Sequence, residues 1–159
     1  MSNTDIQTSR LKLVPKTLED VRGQIAEMTA EQRAQLSPDW LAQLDAKTVG
    51  LWTLGFTLVH KAAATVVGTC GFKGPPGPDG IVEIAYGVAP EHQGQGYATE
   101  AAEAMVAYAF ASGQVRIVRA HTYAAENAST RVLTKCGFQA AGEVIDPEDG
   151  LVRRWEIRR

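Results

Sequence analysis

The stretch that decides the fold is VEIAYGVAPEHQGQGYATEA, residues 82–101. It overlaps a β-rich run, Ile81–Val88, and leads into residues 98–112, whose apolar side chains recur at helical spacing. Between the two, Gly94 and Gly96 allow the backbone to turn tightly and to approach a ligand without interference from a Cβ atom. Amide groups at the start of a helix favour an anion. The pattern predicts a pyrophosphate site built from backbone, with a plain tight turn as the alternative.

Two common phosphate-binding loops do not fit this stretch. A Walker loop needs Gly-Lys followed by Ser or Thr, whereas Gly96 is followed by Tyr97 and Ala98. A Rossmann loop needs a glycine at the sixth position of its motif, and that position is Thr99 here. The mismatch argues against a dinucleotide-binding oxidoreductase and leaves another class of phosphate site.

The other patterns alternate between strands and helices, and they predict one domain over residues 1–159. Strands are predicted at Arg10–Val14, Thr53–Lys61, Thr65–Lys73, Ile81–Val88, Val115–Tyr123, Phe138–Ile145 and Leu151–Ile157, and helices after Thr17, after an N-cap at Ser37, over residues 98–112 and over Ala128–Lys135. Short turns between neighbouring strands favour antiparallel pairing. The order predicts an α/β (α+β) fold with a mixed, mostly antiparallel sheet of about seven strands flanked by about four helices.

Composition excludes several classes of function. A net charge of −2 argues against a general nucleic-acid binder, which needs clustered Lys and Arg. The start, MSNTDIQTSR, is not a signal peptide, and no apolar run approaches the roughly 18–20 residues that span a bilayer. Cys70 and Cys136 do not form a metal-type spacing with the three histidines. We therefore expect a cytoplasmic protein with reduced thiols, no metal and no membrane or nucleic-acid partner.

Three blocks of the chain resemble the GCN5-related N-acetyltransferases (GNAT superfamily). Gln93-x-x-Gly96-x-Ala98 matches the superfamily signature Gln/Arg-x-x-Gly-x-Gly/Ala. The block AENASTRVLTKCGF, residues 125–138, is similar to the ribosomal-protein alanine N-acetyltransferase branch (RimJ/RimL-like). The opening TSRLKLVPKTLEDV, residues 8–21, resembles that branch's T-x-R-L-x-L-R-P, with Lys16 offset from the usual arginine. The resemblance implies a fold with a splayed central strand and an acetyl-CoA-dependent N-acetyltransferase.

The resemblance also implies which residues bind CoA. The loop would hold the pyrophosphate, the backbone of the strand before it would pair with the pantetheine arm, and the Val88 amide would polarise the thioester carbonyl. The implied set is Tyr86, Gly87, Val88, Gln93, Gly94, Gln95, Gly96, Tyr97, Ala98, Thr99, Asn127, Ser129, Arg131 and Lys135. Asn127 is equally a helix N-cap, and Arg131 and Lys135 equally form a solvated helix face.

Three residues are candidates for proton transfer. Glu83 is the first candidate for the base, although a solvent-facing strand glutamate has the same pattern, because alternation puts it opposite Val82 and Ile84. His121 is the second candidate, since an imidazole titrates near neutral pH. Many GNAT enzymes use a tyrosine as the acid where this chain has Thr134, so the resemblance points instead to Ser129.

The acceptor amine is the least determined part of the function. The resemblance favours a protein or peptide N-terminal amine, and aminoglycosides, polyamines and amino acids are open alternatives. A non-catalytic acyl-CoA-binding module on the same fold is the competing hypothesis. It gains support if neither Glu83 nor His121 faces the thioester. The oligomeric state does not follow from the sequence.

Overall fold

A computed structural model describes residues 5–36, 38–44, 50–123, 128–146 and 150–159. Its strands are β1 (Ile6–Gln7), β2 (Leu11–Pro15), β3 (Phe56–His60), β4 (Thr65–Phe72), β5 (Ile81–Val88), β6 (Ile117–Tyr123), β7 (Gln139–Asp146) and β8 (Gly150–Arg158). Its α-helices are α1 (Leu18–Glu27), α2 (Ala30–Ala34), α3 (Pro38–Leu44), α4 (Leu51–Leu54), α5 (Tyr97–Ala111) and α6 (Ala128–Lys135), and a 3-10 helix spans Pro90–His92. No helix within these ranges is long and apolar enough to cross a membrane.

The strands form one mixed sheet in the order β1-β2-β3-β4-β5-β6-β8-β7. Only β5 and β6 pair in parallel, because α5 connects them, and the other neighbours are antiparallel. The prediction of a mixed, mostly antiparallel sheet is confirmed. The described residues contain eight strands instead of about seven, since β1 adds a short edge, and six α-helices instead of about four, since α2 and α4 were not predicted.

Strand β5 splays away from β6 partway along its length. It pairs with β6 only from Ile81 to Glu83, whereas it pairs with β4 from Ile84 to Val88. Beyond Glu83 the edge of β5 that faces β6 has no partner among the described strands, and the two strands form a V-shaped opening. The splayed strand that the resemblance implied is therefore present.

The core lies on the α5 side of the sheet. Val82 and Ile84 of β5 are 3% exposed and pack against α5, whose residues Ala101 and Met105 are fully buried. The alanines of α5 let the helix approach the sheet closely. Gly113, at φ +77°, follows the C-terminal end of α5. The alternation predicted for β5 is confirmed, because it leaves Glu83 on the opposite face.

One predicted boundary is wrong because tertiary packing overrides the local pattern. Residues 51–54, which include the predicted strand start Thr53, form helix α4. The Trp52 ring packs on Phe72 at a centroid distance of 4.6 Å, and Gly55 at φ +80° turns the chain before β3 begins. The predicted N-cap Ser37 lies outside the described residues, although α3 does begin at Pro38.

Candidate active site

The glycine loop joins the splayed end of β5 to the N-terminus of α5. Gly94 and Gly96 have φ of +78° and +87°, a backbone region that side chains disfavour, and Tyr97 is the first helical residue. The Gln93 side chain donates from Nε2 to the Val88 carbonyl oxygen over 3.0 Å and so fixes the loop to the strand. Since the first amides of a helix have no partner within the helix, the loop presents donors to an anion.

The N-terminal segment holds this loop from the other side. Thr8 donates to Glu100 in the first turn of α5 over 2.7 Å, and the Arg10 backbone and guanidinium both donate to the same carboxylate. The Arg10 guanidinium also lies 4.7 Å from the centre of the Tyr97 ring. A Cβ atom at Gly96 would come within 3.1 Å of Arg10 Nη2. We name Thr8, Arg10 and Glu100 the N-terminal clip. The sequence did not suggest it, because Glu100 lies about 90 positions from the other two residues.

The two candidate bases, Glu83 and His121, form one hydrogen-bonded pair. Glu83 Oε2 lies 2.9 Å from His121 Nδ1 and 3.1 Å from Lys73 Nζ, and the Glu83 and His121 side chains are 23% and 12% exposed. On the far side of the ring, Arg154 Nε donates to His121 Nε2 over 3.2 Å. Because arginine only donates, Nε2 must accept, and the ring proton is on Nδ1, pointing at Glu83. In this arrangement His121 Nδ1 donates and the Glu83 carboxylate accepts.

The same pair stands where the sheet divides. Glu83 is the last β5 residue that pairs with β6, opposite Arg119, and the splayed part of β5 begins at the next residue. Lys73 reaches Glu83 from the end of β4, where its backbone amide also donates to the Glu83 carbonyl over 2.9 Å. The sequence named Glu83 and His121 as alternatives, but it did not indicate Lys73 or Arg154.

Tyr86 links the splayed strand to helix α6. Its hydroxyl lies 3.5 Å from the Ser129 carbonyl oxygen, so the side chain crosses the opening towards α6. Burial raises the pKa of Tyr86 to about 12, and the phenol is therefore protonated at neutral pH. The sequence had proposed only the backbone of this residue for cofactor binding, and its hydroxyl is a second donor near Ser129.

The remaining predicted residues lie along α6 or outside the described part. Ser129 is half-buried in the first turn of α6, whereas Arg131 and Lys135 are exposed on its surface. Thr134 donates to the Thr130 carbonyl over 2.8 Å, which occupies its hydroxyl within the helix. Asn127 lies outside the described residues, and its predicted role stays a prediction. No three His, Cys, Asp or Glu side chains in the described ranges approach one another closely enough to hold a metal.

The sequence belongs to an established family. Residues 3–139 match the family model of the acetyltransferase (GNAT) domain, so the chain is a member of this family. An uncharacterized N-acetyltransferase, p20 of Bacillus licheniformis, is 31% identical over 102 residues, which cover 64% of this chain and 57% of the relative. A second, YoaA of Bacillus subtilis, is 34% identical over 77 residues, 48% of this chain and 44% of the relative. The chain spans about half the length of the curated relatives it matches.

Solved structures share the fold over nearly the whole chain. A GNAT-family acetyltransferase from Bacillus anthracis superposes with a TM-score of 0.70 at 18% identity, covering 98% of both chains. RimL, a ribosomal alpha-N-protein acetyltransferase solved with coenzyme A, gives 0.70 at 17% identity, covering 97% of both. A chimera of the spermidine N-acetyltransferase SpeG from Vibrio cholerae gives 0.69 at 21%, covering 94% of this chain and 96% of the other. The predicted α/β GNAT fold is confirmed.

Proposed function

We propose that residues 1–159 act as one acetyl-CoA-dependent N-acetyltransferase domain that transfers an acetyl group to a primary amine. The observation that carries the proposal is the position of the Glu83–His121 pair at the point where β5 leaves β6, on the strand that leads into the glycine loop. A carrier-binding loop and a proton acceptor are thereby joined by one strand. A module that only bound acyl-CoA would not require a proton acceptor at this position. The cytoplasmic location predicted from the sequence stays a prediction.

The splayed strand and the loop are suited to bind the carrier. Backbone amides of Gly94, Gly96, Ala98 and Thr99 would hold the pyrophosphate, with Gln93, Gln95 and Tyr97 shaping the loop: Tyr97 donates to Gln95 over 3.3 Å. The unpaired edge of β5 from Tyr86 through Gly87 to Val88 would pair with the pantetheine arm as an added strand. Arg131 and Lys135 would serve the 3′-phosphate side. Acetyl-CoA supplies a thioester whose thiol has a pKa of about 8.5, so that the thiolate leaves readily.

The acceptor amine attacks the thioester carbonyl carbon, the bond to sulfur breaks, and the amine loses one proton. Glu83 takes that proton, directly or through a water, because it is the member of the pair whose oxygen lone pairs are available. His121 keeps the carboxylate oriented through its Nδ1 proton. The Val88 amide stabilises the negative charge that develops on the carbonyl oxygen. Ser129 donates its hydroxyl proton to the departing thiolate and is reprotonated from solvent, while Glu83 releases the amine proton to solvent.

A peptide or protein N-terminal amine is the acceptor that the sequence favours. The blocks at residues 8–21 and 125–138 resemble the RimJ/RimL-like branch, which acts on such amines. The fold itself does not choose, since the similar structures include both RimL and a spermidine N-acetyltransferase. A small amine such as a polyamine, an aminoglycoside or an amino acid is the second candidate.

Calorimetry with CoA, together with thiol release from acetyl-CoA across a panel of amines, tests the function. Gly96→Val should abolish most CoA binding, because a β-branched residue resists φ +87° and its Cβ would meet Arg10. Gly23→Val is the matched control, since nothing lies within 4 Å of a Cβ on Gly23 in α1. Wild-type affinity in Gly96→Val would contradict the loop assignment, and thiol release that no amine stimulates would contradict the transferase.

A further inference from the structure

A trough crosses the sheet on the face that carries Glu83. Gly71 of β4 stands opposite Ala85 of β5, and a Cβ on Gly71 would come within 2.9 Å of the Gly55 Cα. Lys16 lies next to Gly55 on the side away from Gly71, because the Lys16 amide donates to the Gly55 carbonyl over 2.9 Å. The sheet surface between Ala85 and Lys16 therefore carries no large side chain at Gly71 or Gly55. Ala85, Gly71, Gly55 and Lys16 all line a cavity of about 370 Å³.

The two ends of this trough differ in chemistry. At one end, Ala85 and Gly87 line the cavity. Glu83 lies outside this lining, on the same face of the splayed strand and two residues before Ala85. At the other end, Lys16 lines the wall. Strands lie about 4.8 Å apart, so the three spacings from Ala85 to Lys16 amount to about 14 Å between Cα atoms, part of which the lysine side chain itself spans.

Lys16 is a half-buried cation without a close counter-ion. Among the residues that the structure describes, no carboxylate lies within ion-pair distance of its ammonium, and the nearby Asp20 already accepts a bond from the Thr17 amide over 3.1 Å. Burial lowers the pKa of Lys16, while nearby Cys70 and Asp20 act in the opposite direction. A bound anion would relieve the desolvation of this group.

Two other cations on this face are paired with carboxylates, and Arg154 donates to His121 over 3.2 Å. Lys73 contacts Glu83, and Arg119 donates to Glu156 over 2.7 and 2.8 Å. Lys16 is thus the charge in the trough that a ligand is placed to neutralise.

We infer that the acceptor is a primary amine that carries a carboxylate several bonds away, as in a peptide whose first or second residue is acidic, with the amine at Glu83 and the carboxylate at Lys16. This inference rests on the proposed function. A polyamine is disfavoured, because its second ammonium would face Lys16 across a partly desolvated cavity.

The test compares acetyl transfer to two tripeptide amides, alanine-glutamate-alanine and alanine-glutamine-alanine, with spermidine as the cationic acceptor. Wild type should show about a tenfold higher kcat/KM for the glutamate peptide, the size expected for a hydrogen bond between charged groups. Lys16→Met should remove this preference, and Lys16→Glu should reverse it and improve spermidine. Lys12→Met, on the strand that ends one residue before Lys16 but outside the cavity lining, should keep it. CoA affinity and melting temperature check that the variants fold.

A Lys16→Met enzyme that retains the preference would overturn the inference, as would a wild-type enzyme that favours the glutamine peptide or spermidine. In those cases transfer still occurs, so the proposed function stands. Absence of transfer to both peptides would also overturn the inference, whereas the proposed function is overturned only if no amine of the wider panel stimulates thiol release. If Lys16→Met fails to bind CoA, the Lys16→Glu and wild-type selectivities decide the question by the same comparison.

Discussion

Replacing Arg10 with methionine tests whether the N-terminal clip holds the glycine loop. Arg10→Met removes the guanidinium that pairs with Glu100 and lies 4.7 Å from the centre of the Tyr97 ring, while the methionine fills part of the same volume. The Thr8 hydroxyl and the residue-10 backbone amide still donate to Glu100. The variant therefore isolates the side-chain interactions of Arg10.

The expected loss of stability is small because the pair is partly exposed. The Arg10 and Glu100 side chains are 42% and 19% exposed, so the ion pair contributes at most about 1 kcal/mol after screening by solvent. The stacking on Tyr97 adds about 0.5 kcal/mol at such a site. A total of about 1–1.5 kcal/mol corresponds to a fall in melting temperature of roughly 2–6 °C for a chain of this length.

The loss should depend on pH. Burial would raise the pKa of Glu100, but the bonds from Thr8 and Arg10 outweigh burial and lower the pKa. A carboxylate with a lowered pKa stabilises the fold above its unfolded pKa, about 4.3, and this contribution disappears as pH falls through the folded pKa. The difference between wild type and Arg10→Met should therefore be largest at pH 7 and should shrink in acid to the contribution of about 0.5 kcal/mol from stacking on Tyr97.

Denaturation of wild type, Arg10→Met, Glu100→Gln and the double variant measures the coupling directly. The interaction between the two sites should be about 0.5–1 kcal/mol at pH 7 and should be lost as pH falls through the lowered folded pKa of Glu100. Additive single losses at pH 7, or a melting temperature within 1 °C of wild type in Arg10→Met, would refute the role of the clip.

Two further predictions concern proton transfer. Glu83→Gln should lower the rate of acetyl transfer at neutral pH about 100-fold or more. The loss should be smaller for an α-amine with a pKa near 8 than for a lysine-type amine with a pKa near 10.4. A pH–rate profile that overlays that of wild type would assign proton transfer to solvent or to His121 instead. Ser129→Ala should lower kcat about tenfold with little change in KM, since the serine assists a thiolate that is already a good leaving group. Thr134→Ala should leave kcat and KM nearly unchanged, because the Thr134 hydroxyl is bonded to the Thr130 carbonyl. Steady-state kinetics and melting temperatures on both serine and threonine variants separate catalysis from stability, and a larger loss of turnover in Thr134→Ala would contradict the assignment.

The parts of the fold that could be predicted are those whose signals are local. The strand Ile81–Val88 was predicted with its observed bounds, and α5 within one residue at each end, because alternation, glycines and helical spacing follow one another within 32 residues. Helix α4 was missed because its stability comes from the packing of Trp52 on Phe72 and Tyr108, not from its four-residue sequence.

The sequence predicted several residues of the candidate site but not the contacts between them. Glu83 and His121 were named, but their pairing depends on the parallel register of β5 and β6, which places Glu83 beside Arg119 and two residues before His121. No local pattern carries that register, since the strands are separated by a loop and a 15-residue helix. Lys16 and Lys73, which follow the ends of β2 and β4, and Arg154, in the middle of β8, reach the same face for the same reason.

The divergence of β5 from β6 makes the sheet two blades, β1–β5 and β6–β8, that share only three residue pairs. Beyond that seam, each blade presents a strand edge to the other with no partner among the described strands, and such edges readily recruit extended chains. An extended ligand that pairs with both strand edges would hold the two blades together, and it would stabilise the folded protein more as the ligand concentration rises. The form without a bridging ligand would therefore be the one whose two blades separate most easily.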